Sequence, residues 1–364
     1  MRRHLVFLAA LALVAATFVL TTRFGPGLAF SVSLAAPAAE KWFAPVWERT
    51  TREDITLPDG FGGLQADLYR PVHPRGSLLL VHGLSRDGRR QHDLAHLAHL
   101  LGRQGLLVLV PQFEDLAAFR LSGREVDNVR AALRYTATLS ESVGIAGFSF
   151  GAGPALLAAA DFPGLRLAAT FGGYADLTHV IGYVTTGAHR FEGQRYVQAQ
   201  EEYNRWKLLA LLVGFVEQQP DRRRLAEIVR RKLADPSDDT RVVEQELGSE
   251  GSAVLALVAN RREGAVAGLL AQLPPGAREA LRRLSPLGAV SRIHARLLIA
   301  HGTGDDSIPF TESLRLAAAA GKDAHLALFK TFHHTGPKGR WPSLSDRVLD
   351  AWNLLRLVDA LLPR

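Results

Sequence analysis

The sequence predicts an α/β protein with a doubly wound, mostly parallel sheet, and three observations support this class. Uninterrupted apolar runs, such as residues 77–81, are typical of strands that helices cover on both faces. Such runs alternate with segments of helical periodicity over residues 77–171. The pattern then changes to helices alone over residues 176–291 before strands resume at residue 296. We therefore expect one sheet with right-handed crossovers and an all-helical insertion.

The amino terminus predicts a hydrophobic anchor helix. Arg2 and Arg3 precede an uncharged run over residues 5–22, which ends at Arg23. A run of about 18 residues can span a bilayer and is long for the apolar core of a signal peptide. The positive start places everything after Arg23 outside the cytoplasm. We expect residues 1–24 to be a membrane anchor, with a signal peptide cleaved near residues 35–39 and secretion as the alternative.

The rest of the chain divides into a linker, a core in two parts and the insertion. Residues 25–53 are predicted as the linker, and a hairpin around Pro58-Asp59-Gly60 opens the first part of the core, residues 54–175. The predicted strands and helices that follow are strands 77–81, 106–110, 143–146 and 165–171, and helices 90–104 and 125–138. The second part, residues 292–364, contains strands 296–300 and 325–329.

Two further patterns concern helix faces. Pro220 and Asp221 predict the start of an insertion helix, with Asp221 as its N-cap. In the last helix, residues 347–362, the helical spacing predicts that Val348, Trp352, Leu355 and Leu362 pack on the sheet. The insertion, residues 176–291, is predicted to be a lid over the carboxyl edge of the sheet.

Composition excludes several functions. The 364 residues include 43 basic and 36 acidic residues, for a net charge of +7, without an aromatic-interleaved basic patch, so we expect no nucleic-acid partner. The absence of cysteine excludes disulfides, thiolate metal sites and a cysteine nucleophile. His92, His96 and His99 have metal-like spacing, but leucines on the opposite helix face favour a solvated histidine face. We predict no metal and no cofactor.

The segment Gly147-Phe148-Ser149-Phe150-Gly151 carries the strongest chemical signal. It joins a buried strand to an apolar helix, so the serine is forced onto a sharp turn. The tight backbone contacts of such a turn leave no room for side chains at residues 147 and 151. Serine is a poor nucleophile unless a base takes its proton and a third group orients that base. Asp305 and His334 follow later strands and are candidates for these roles.

The motifs resemble those of the α/β-hydrolase family. The resemblance rests on the glycine–serine turn, the His82-Gly83 pair after a strand, and the His-Gly-x-x-Asp-x-x-Ile-Pro segment at residues 301–309. It implies a triad of Ser149, Asp305 and His334. Asp176 is the alternative acid, although it also suits a helix N-cap, and His333 is the alternative base.

The resemblance also implies an oxyanion hole made of backbone N–H groups. Phe150, directly after the serine, supplies one donor, and Leu84, after His82-Gly83, supplies the other, so His82 itself is structural. We therefore expect a serine hydrolase that cleaves small-molecule carboxylic esters with an apolar acyl chain. Alternatives are an acyltransferase or thioesterase on the same fold, and a catalytically silent protein that binds a lipid or a partner.

The insertion also predicts where an acyl chain binds. Residues 208–213 and 254–258 are more apolar than docking of a lid requires. We expect them to line an acyl-binding cavity that favours a medium-length acyl ester over acetate. The alternative is an ordinary helical subdomain with a dry core.

Overall fold

A computed structural model describes residues 25–43, 47–331 and 343–362 of the chain. The strands are β1 (Thr50–Thr56), β2 (Gln65–Pro71), β3 (Gly76–Val81), β4 (Leu106–Pro111), β5 (Val143–Phe148), β6 (Leu167–Phe171), β7 (Ala188–Phe191), β8 (Gln194–Val197), β9 (Arg296–Gly302) and β10 (Ala324–Phe329). In chain order, the first helices of four or more residues are α1 (25–35), α2 (Glu40–Phe43), α3 (His92–Arg103), α4 (Glu114–Ala117), α5 (Arg124–Leu139) and α6 (Ala152–Ala160). They continue as α7 (Leu177–Thr186), α8 (Glu202–Val213), α9 (Gln219–Ala234), α10 (Arg241–Gln245), α11 (Ser249–Ala259), α12 (Val266–Gln272), α13 (Pro275–Leu284), α14 (Thr311–Ala320) and α15 (Leu344–Leu361).

Within the described residues, eight strands form one sheet in the order β1-β2-β4-β3-β5-β6-β9-β10. β2 runs antiparallel to both of its neighbours, and β4, β3, β5, β6, β9 and β10 run parallel to one another. The predicted class, a doubly wound and mostly parallel α/β sheet, is therefore confirmed. The carboxyl ends of the six parallel strands meet at one edge, where the chemistry-bearing residues lie.

The two faces of the sheet are both covered, which explains why the central strands are apolar throughout. On β3, Leu79 and Val81 face a core formed with α5, α6 and α14. Leu78 and Leu80 face the opposite core, which contains residues of α1, α3 and α15. All six residues of β3 are buried. Since successive side chains of a strand point to opposite faces, a strand buried on both sides cannot alternate with polar residues.

The predicted linker, residues 25–53, is in part ordered structure. Residues 25–35 form α1, and Phe30 is 1% exposed within the core that α3 and α15 also line. β1 begins at Thr50, so the sheet starts before the predicted boundary at residue 54. None of the helices in the described ranges, with gaps before residue 25 and at 44–46 and 332–342, is long and apolar enough to cross a membrane. The predicted anchor, residues 5–22, lies outside these ranges.

The prediction of an all-helical insertion is wrong at one place. β7 and β8 form an antiparallel hairpin between α7 and α8. Its two-residue turn has positive φ at both positions, 45° at Glu192 and 80° at Gly193, as the tightest hairpin turns require. Gly187, in the left-handed region at the end of α7, stops the helix before the hairpin. Glu-Gly is a weaker hairpin signal than Asn-Gly or Asp-Gly, so the pattern of residues 188–197 did not predict strands.

The predicted inward face of the last helix is confirmed only in part. Leu362 packs against the core, but Val348 is 63% exposed and Trp352 is 54% exposed. The apolar side chains of α15 that are buried are Leu357, Val358 and Leu361. The helical periodicity is present, but α15 carries apolar residues on two faces, and only the packing decides which of them is buried.

Candidate active site

Ser149 lies on a strained turn between β5 and α6. Its φ is 51°, in the left-handed region, which a residue with a side chain adopts at a cost of about 1–3 kcal/mol. β5 ends at Phe148 and α6 begins at Ala152, so the serine lies at the carboxyl edge of the sheet. This conformation turns the chain sharply from strand to helix. The predicted turn around Ser149 is therefore confirmed.

Two glycines make this turn sterically possible. A Cβ on Gly147 would lie 2.5 Å from Ala152 Cα, and one on Gly151 would lie 2.2 Å from the carbonyl oxygen of His82. Both distances are below any real contact of a Cβ atom. Residues 147 and 151 have no room for a side chain, as the sequence predicts. The clash at Gly151 also shows that the serine turn packs directly on the turn after β3.

The turn after β3 is held by His82, which is 1% exposed. The ring Nε2 accepts a hydrogen bond from Phe113 N–H at 3.0 Å, so Nδ1 carries the proton and donates to Gly83 O at 2.8 Å. Burial lowers the pKa of His82 to about 4, which keeps the ring neutral at physiological pH. His82 has the structural role predicted for it, because it fixes the peptide that leads to Leu84.

Gly83 brings this turn against the serine. A Cβ at residue 83 would lie 2.9 Å from Ser149 Cβ and 2.9 Å from Phe148 O. Leu84, Ser149 and Phe150 all line the same small cavity. The backbone groups of Leu84 and Phe150 therefore lie on two segments that meet at the serine.

Asp305 lies in the loop after β9 and is 4% exposed. Its Oδ1 accepts backbone N–H groups of Ser307 at 2.8 Å and Ile308 at 2.9 Å. Its Oδ2 faces the end of β6, where a Cβ on Gly172 would lie 3.4 Å from that oxygen. β6 pairs with β5, so the carboxylate lies at the end of the strand next to the one that leads to Ser149. The structure thus places a buried, hydrogen-bonded carboxylate at the same edge of the sheet.

His301 supports the loop from below and is 2% exposed. Its Nε2 lies 3.0 Å from Ile308 O and 3.4 Å from Asp305 Oδ2. Both neighbours accept hydrogen bonds, so Nε2 carries the proton, and Nδ1 accepts from Ser313 Oγ at 2.6 Å. The motif at residues 301–309 contains this histidine, but its contact with the carboxylate could not be read from spacing alone.

Asp176, the alternative acid, has a different role in the fold. Its Oδ1 accepts Thr178 N–H at 2.8 Å and the Thr178 hydroxyl at 2.7 Å, so it is the N-cap of α7. Its backbone N–H donates to Glu312 at 2.8 Å. The capping function predicted as its second possibility is confirmed.

Side chains of the lid and of the body line a cavity of about 40 Å³ beside the serine. α8 contributes four of the lining side chains, and α7 contributes one. The lining residues are Leu84, Ser149, Phe150, Val184, Asn204, Lys207, Leu208, Leu211 and Ser307. Lys207 directs its ammonium group over the ring of Tyr203, 4.9 Å from the centroid. Leu208 and Leu211 also line a second, wholly apolar cavity of about 10 Å³, whereas Leu257 is fully buried in the core.

Three features decide the fold: antiparallel β2 lies beside a run of parallel strands, a strained serine turn follows β5, and the loop with Asp305 follows β9. The chain has an α/β-hydrolase fold.

Several solved structures are similar to this chain at low sequence identity. A puromycin-hydrolysing peptidase of Mycobacterium tuberculosis aligns with a TM-score of 0.46 and 15% identity, over 85% of this chain and 38% of that one. The Pyrococcus horikoshii acylaminoacyl peptidase gives 0.43 and 15%, over 81% and 39%. The esterase domain of a Rhodothermus marinus protein gives 0.44 and 18%, over 84% and 98%. No protein-family model and no curated protein matches the chain in sequence.

This chain spans about two fifths of the length of the two peptidases. Proteins with one fold catalyse many reactions, so the side chains of the site determine the function.

The predicted base lies outside the described residues, as does its neighbour His333. β10 ends at Phe329, five residues before His334 in the sequence, and hydrogen bonds to α15 hold the next two residues. The buried Asp350 of α15 accepts Lys330 N–H at 3.1 Å and Thr331 N–H at 2.8 Å. Asp350 had no signal in the sequence beyond its place in a helix.

The helix-face histidines of α3 have separate partners. His92 lies 3.2 Å from Asp93, His96 lies 3.3 Å from Ser33 O, and His99 lies 3.5 Å from Glu40. Across residues 25–43, 47–331 and 343–362, no three histidine, cysteine or carboxylate side chains form a group that could hold a metal ion.

Proposed function

We propose that this protein is a serine hydrolase that cleaves carboxylic esters through an acyl-enzyme on Ser149. The observation that carries the proposal is the left-handed φ of 51° at Ser149, held between two glycines that admit no side chain. A serine in an ordinary turn has no need of such a conformation. In a nucleophile elbow, the strain exposes the hydroxyl to a base on one side and to the substrate on the other.

The proposed mechanism gives each of the site groups a defined role. His334 takes the Ser149 proton while Oγ attacks the ester carbonyl carbon, and the carbonyl oxygen becomes the oxyanion. The backbone N–H groups of Leu84 and Phe150 stabilise that oxyanion. His334 then protonates the departing alcohol. Water, deprotonated by the same base, attacks the acyl carbon. The bond from that carbon to Ser149 Oγ breaks, His334 returns the proton to Oγ, and the carboxylic acid leaves.

Asp305 is the proposed acid of the triad, because it orients the base and stabilises its charged form. Two features support Asp305 over Asp176. Its Oδ1 is fixed by two backbone N–H groups, and Oδ2 faces the end of β6 beside the serine strand. Asp176, by contrast, is engaged in capping α7.

The cavity supports a short acyl group in this closed form. A volume of about 40 Å³ holds on the order of three water molecules, which is enough for an acetyl or propionyl group. Leu208 and Leu211 separate it from the second apolar cavity. We therefore propose that acetyl and propionyl esters bind directly and that longer acyl groups require these two leucines to move.

A fluorophosphonate probe tests the serine without knowledge of the substrate. The wild-type protein should be labelled, and Ser149→Ala should abolish labelling. Ser307→Ala is a matched control, since Ser307 is the other serine that lines the cavity, and this variant should keep wild-type labelling. Labelling that survives Ser149→Ala would remove the nucleophile from the proposal. Product analysis with an added alcohol then separates hydrolysis from acyl transfer.

A further inference from the structure

The lid makes three hydrogen bonds to the loop that carries Asp305. We name residues 304–306 the acid loop. Tyr183 OH on α7 donates to Asp305 O at 2.6 Å, and Gln198 Nε2, directly after β8, donates to Gly304 O at 2.9 Å. Asn204 Nδ2 on α8 donates to Asp306 O at 3.0 Å. Three lid elements thus bind three consecutive carbonyl groups.

Two of these three contacts are made by buried side chains. Tyr183 is 0% exposed and Asn204 is 6% exposed. Burial raises the pKa of Tyr183, so the phenol keeps its proton and remains a donor. A buried carbonyl that loses its donor keeps its desolvation penalty without compensation, so these lid residues resist displacement of the acid loop.

The acid loop is held from the body as well. The Asp305 carboxylate accepts the Ser307 and Ile308 N–H groups, and His301 lies beneath it. The body thus fixes the carboxylate and also the Asp305 N–H, which donates to Gly302 O at 3.1 Å, while the lid contacts hold the carbonyl groups of residues 304–306. Without the lid, these carbonyl groups lose their donors, and the carboxylate keeps only its contacts to the body.

We propose that Tyr183, Gln198 and Asn204 are positioning residues that align Asp305 with the catalytic base. The inference rests on the proposed triad and deepens it. The part of the lid between α7 and α8 then belongs to the catalytic machinery, because its hydrogen bonds set the orientation of the acid. A base whose carboxylate is misaligned is held in the wrong tautomer or orientation, and turnover falls while substrate binding stays the same.

Tyr183→Phe removes a single hydroxyl and tests the inference with little change in packing. Tyr174→Phe is the matched control: Tyr174 is equally buried, and its OH donates to Leu284 O at 3.1 Å, away from the acid loop. We expect both variants to lose similar stability in urea. Tyr183→Phe should lower kcat and the rate constant of fluorophosphonate labelling by about threefold to tenfold, with KM unchanged.

The pH profile adds a readout that a merely structural role would leave unchanged. A carboxylate next to the base stabilises its protonated form and raises its pKa. In Tyr183→Phe, the acidic limb of the profile should therefore move to lower pH, and in Tyr174→Phe it should stay in place. Gln198→Ala, at a partly exposed position, provides a second variant that folds readily, with the exposed Gln194→Ala as its control.

The outcomes distinguish failure of this inference from failure of the proposed function. If the wild type is labelled at Ser149 but Tyr183→Phe and Gln198→Ala keep its rate and pH profile, the lid contacts are structural and this inference is wrong. If the variants lose activity only through KM, it is also wrong. If the wild type is not labelled at all, the proposed function fails, and the inference fails with it.

Discussion

Gly151→Ala tests the contact between the serine turn and the turn after β3 by adding one methyl group. The new Cβ would lie 2.2 Å from His82 O and 2.7 Å from Val81 O, where ordinary contact begins at 3.4 Å. Both oxygens belong to the main chain, which cannot rotate away as the end of a flexible side chain can. The elbow and the turn must therefore separate by more than about 1 Å in a region packed as tightly as a crystal.

Two effects follow from that displacement. Overpacking of this kind costs about 1–3 kcal/mol of unfolding free energy, so the variant should fold with reduced stability. The shift also moves the Leu84 N–H away from the position of the oxyanion. Loss of one such donor slows acyl transfer by about a hundredfold to a thousandfold, and a 1 Å displacement of reacting groups has a similar effect.

The assay combines urea unfolding with turnover of p-nitrophenyl acetate. Gly268→Ala is the control, because Gly268 lies in α12 and nothing lies within 4 Å of a Cβ built there. It should raise the unfolding free energy by about 0.4–1 kcal/mol and leave turnover unchanged. A Gly151→Ala protein with wild-type stability and turnover would refute the close approach of the two turns and the oxyanion argument built on it.

Four other predictions can be tested separately. Asp305→Asn should lower kcat by about 10³-fold to 10⁴-fold, and Asp176→Asn should cost mainly stability through the lost cap; the reverse ranking would assign the acid to residue 176. Leu211→Ala should raise kcat/KM for a butyrate ester relative to an acetate ester by up to about fourfold per added methylene. Equal changes in kcat/KM for both esters would show that the cavity does not bind the acyl group. Because burial lowers the pKa of His82 from 6.5 to about 4, the folded protein binds fewer protons than the unfolded chain in this range. Its unfolding free energy should fall as the pH drops from 6.5 towards 4, and urea titrations of His82→Gln should show a weaker pH dependence than the wild type. Full-length protein should sediment with membranes and resist salt extraction if residues 5–22 are an anchor, whereas a soluble chain starting near residue 38 would show cleavage.

The sequence alone predicted the features that local chemistry controls. Uninterrupted apolar runs indicated strands buried on both faces, and β3, β4 and β5 are such strands. Glycine at residues 147 and 151 indicated backbone contacts with no room for a side chain, and this is the packing observed. These features follow from residues within a few positions of one another, so their spacing carries the information.

Other features depend on which elements meet, and only the tertiary structure decided them. Asp221 was expected to cap its own helix, yet its carboxylate accepts the N–H groups of Gly248 and Gly251, both at 2.7 Å, and so caps α11. The hydroxyl of Tyr183 reaches the acid loop from 122 residues away in the chain. The cavity beside Ser149 is likewise small because side chains of α8 fill it. A sequence pattern shows that a side chain can cap, donate or be buried, but its partner is fixed by how the elements pack.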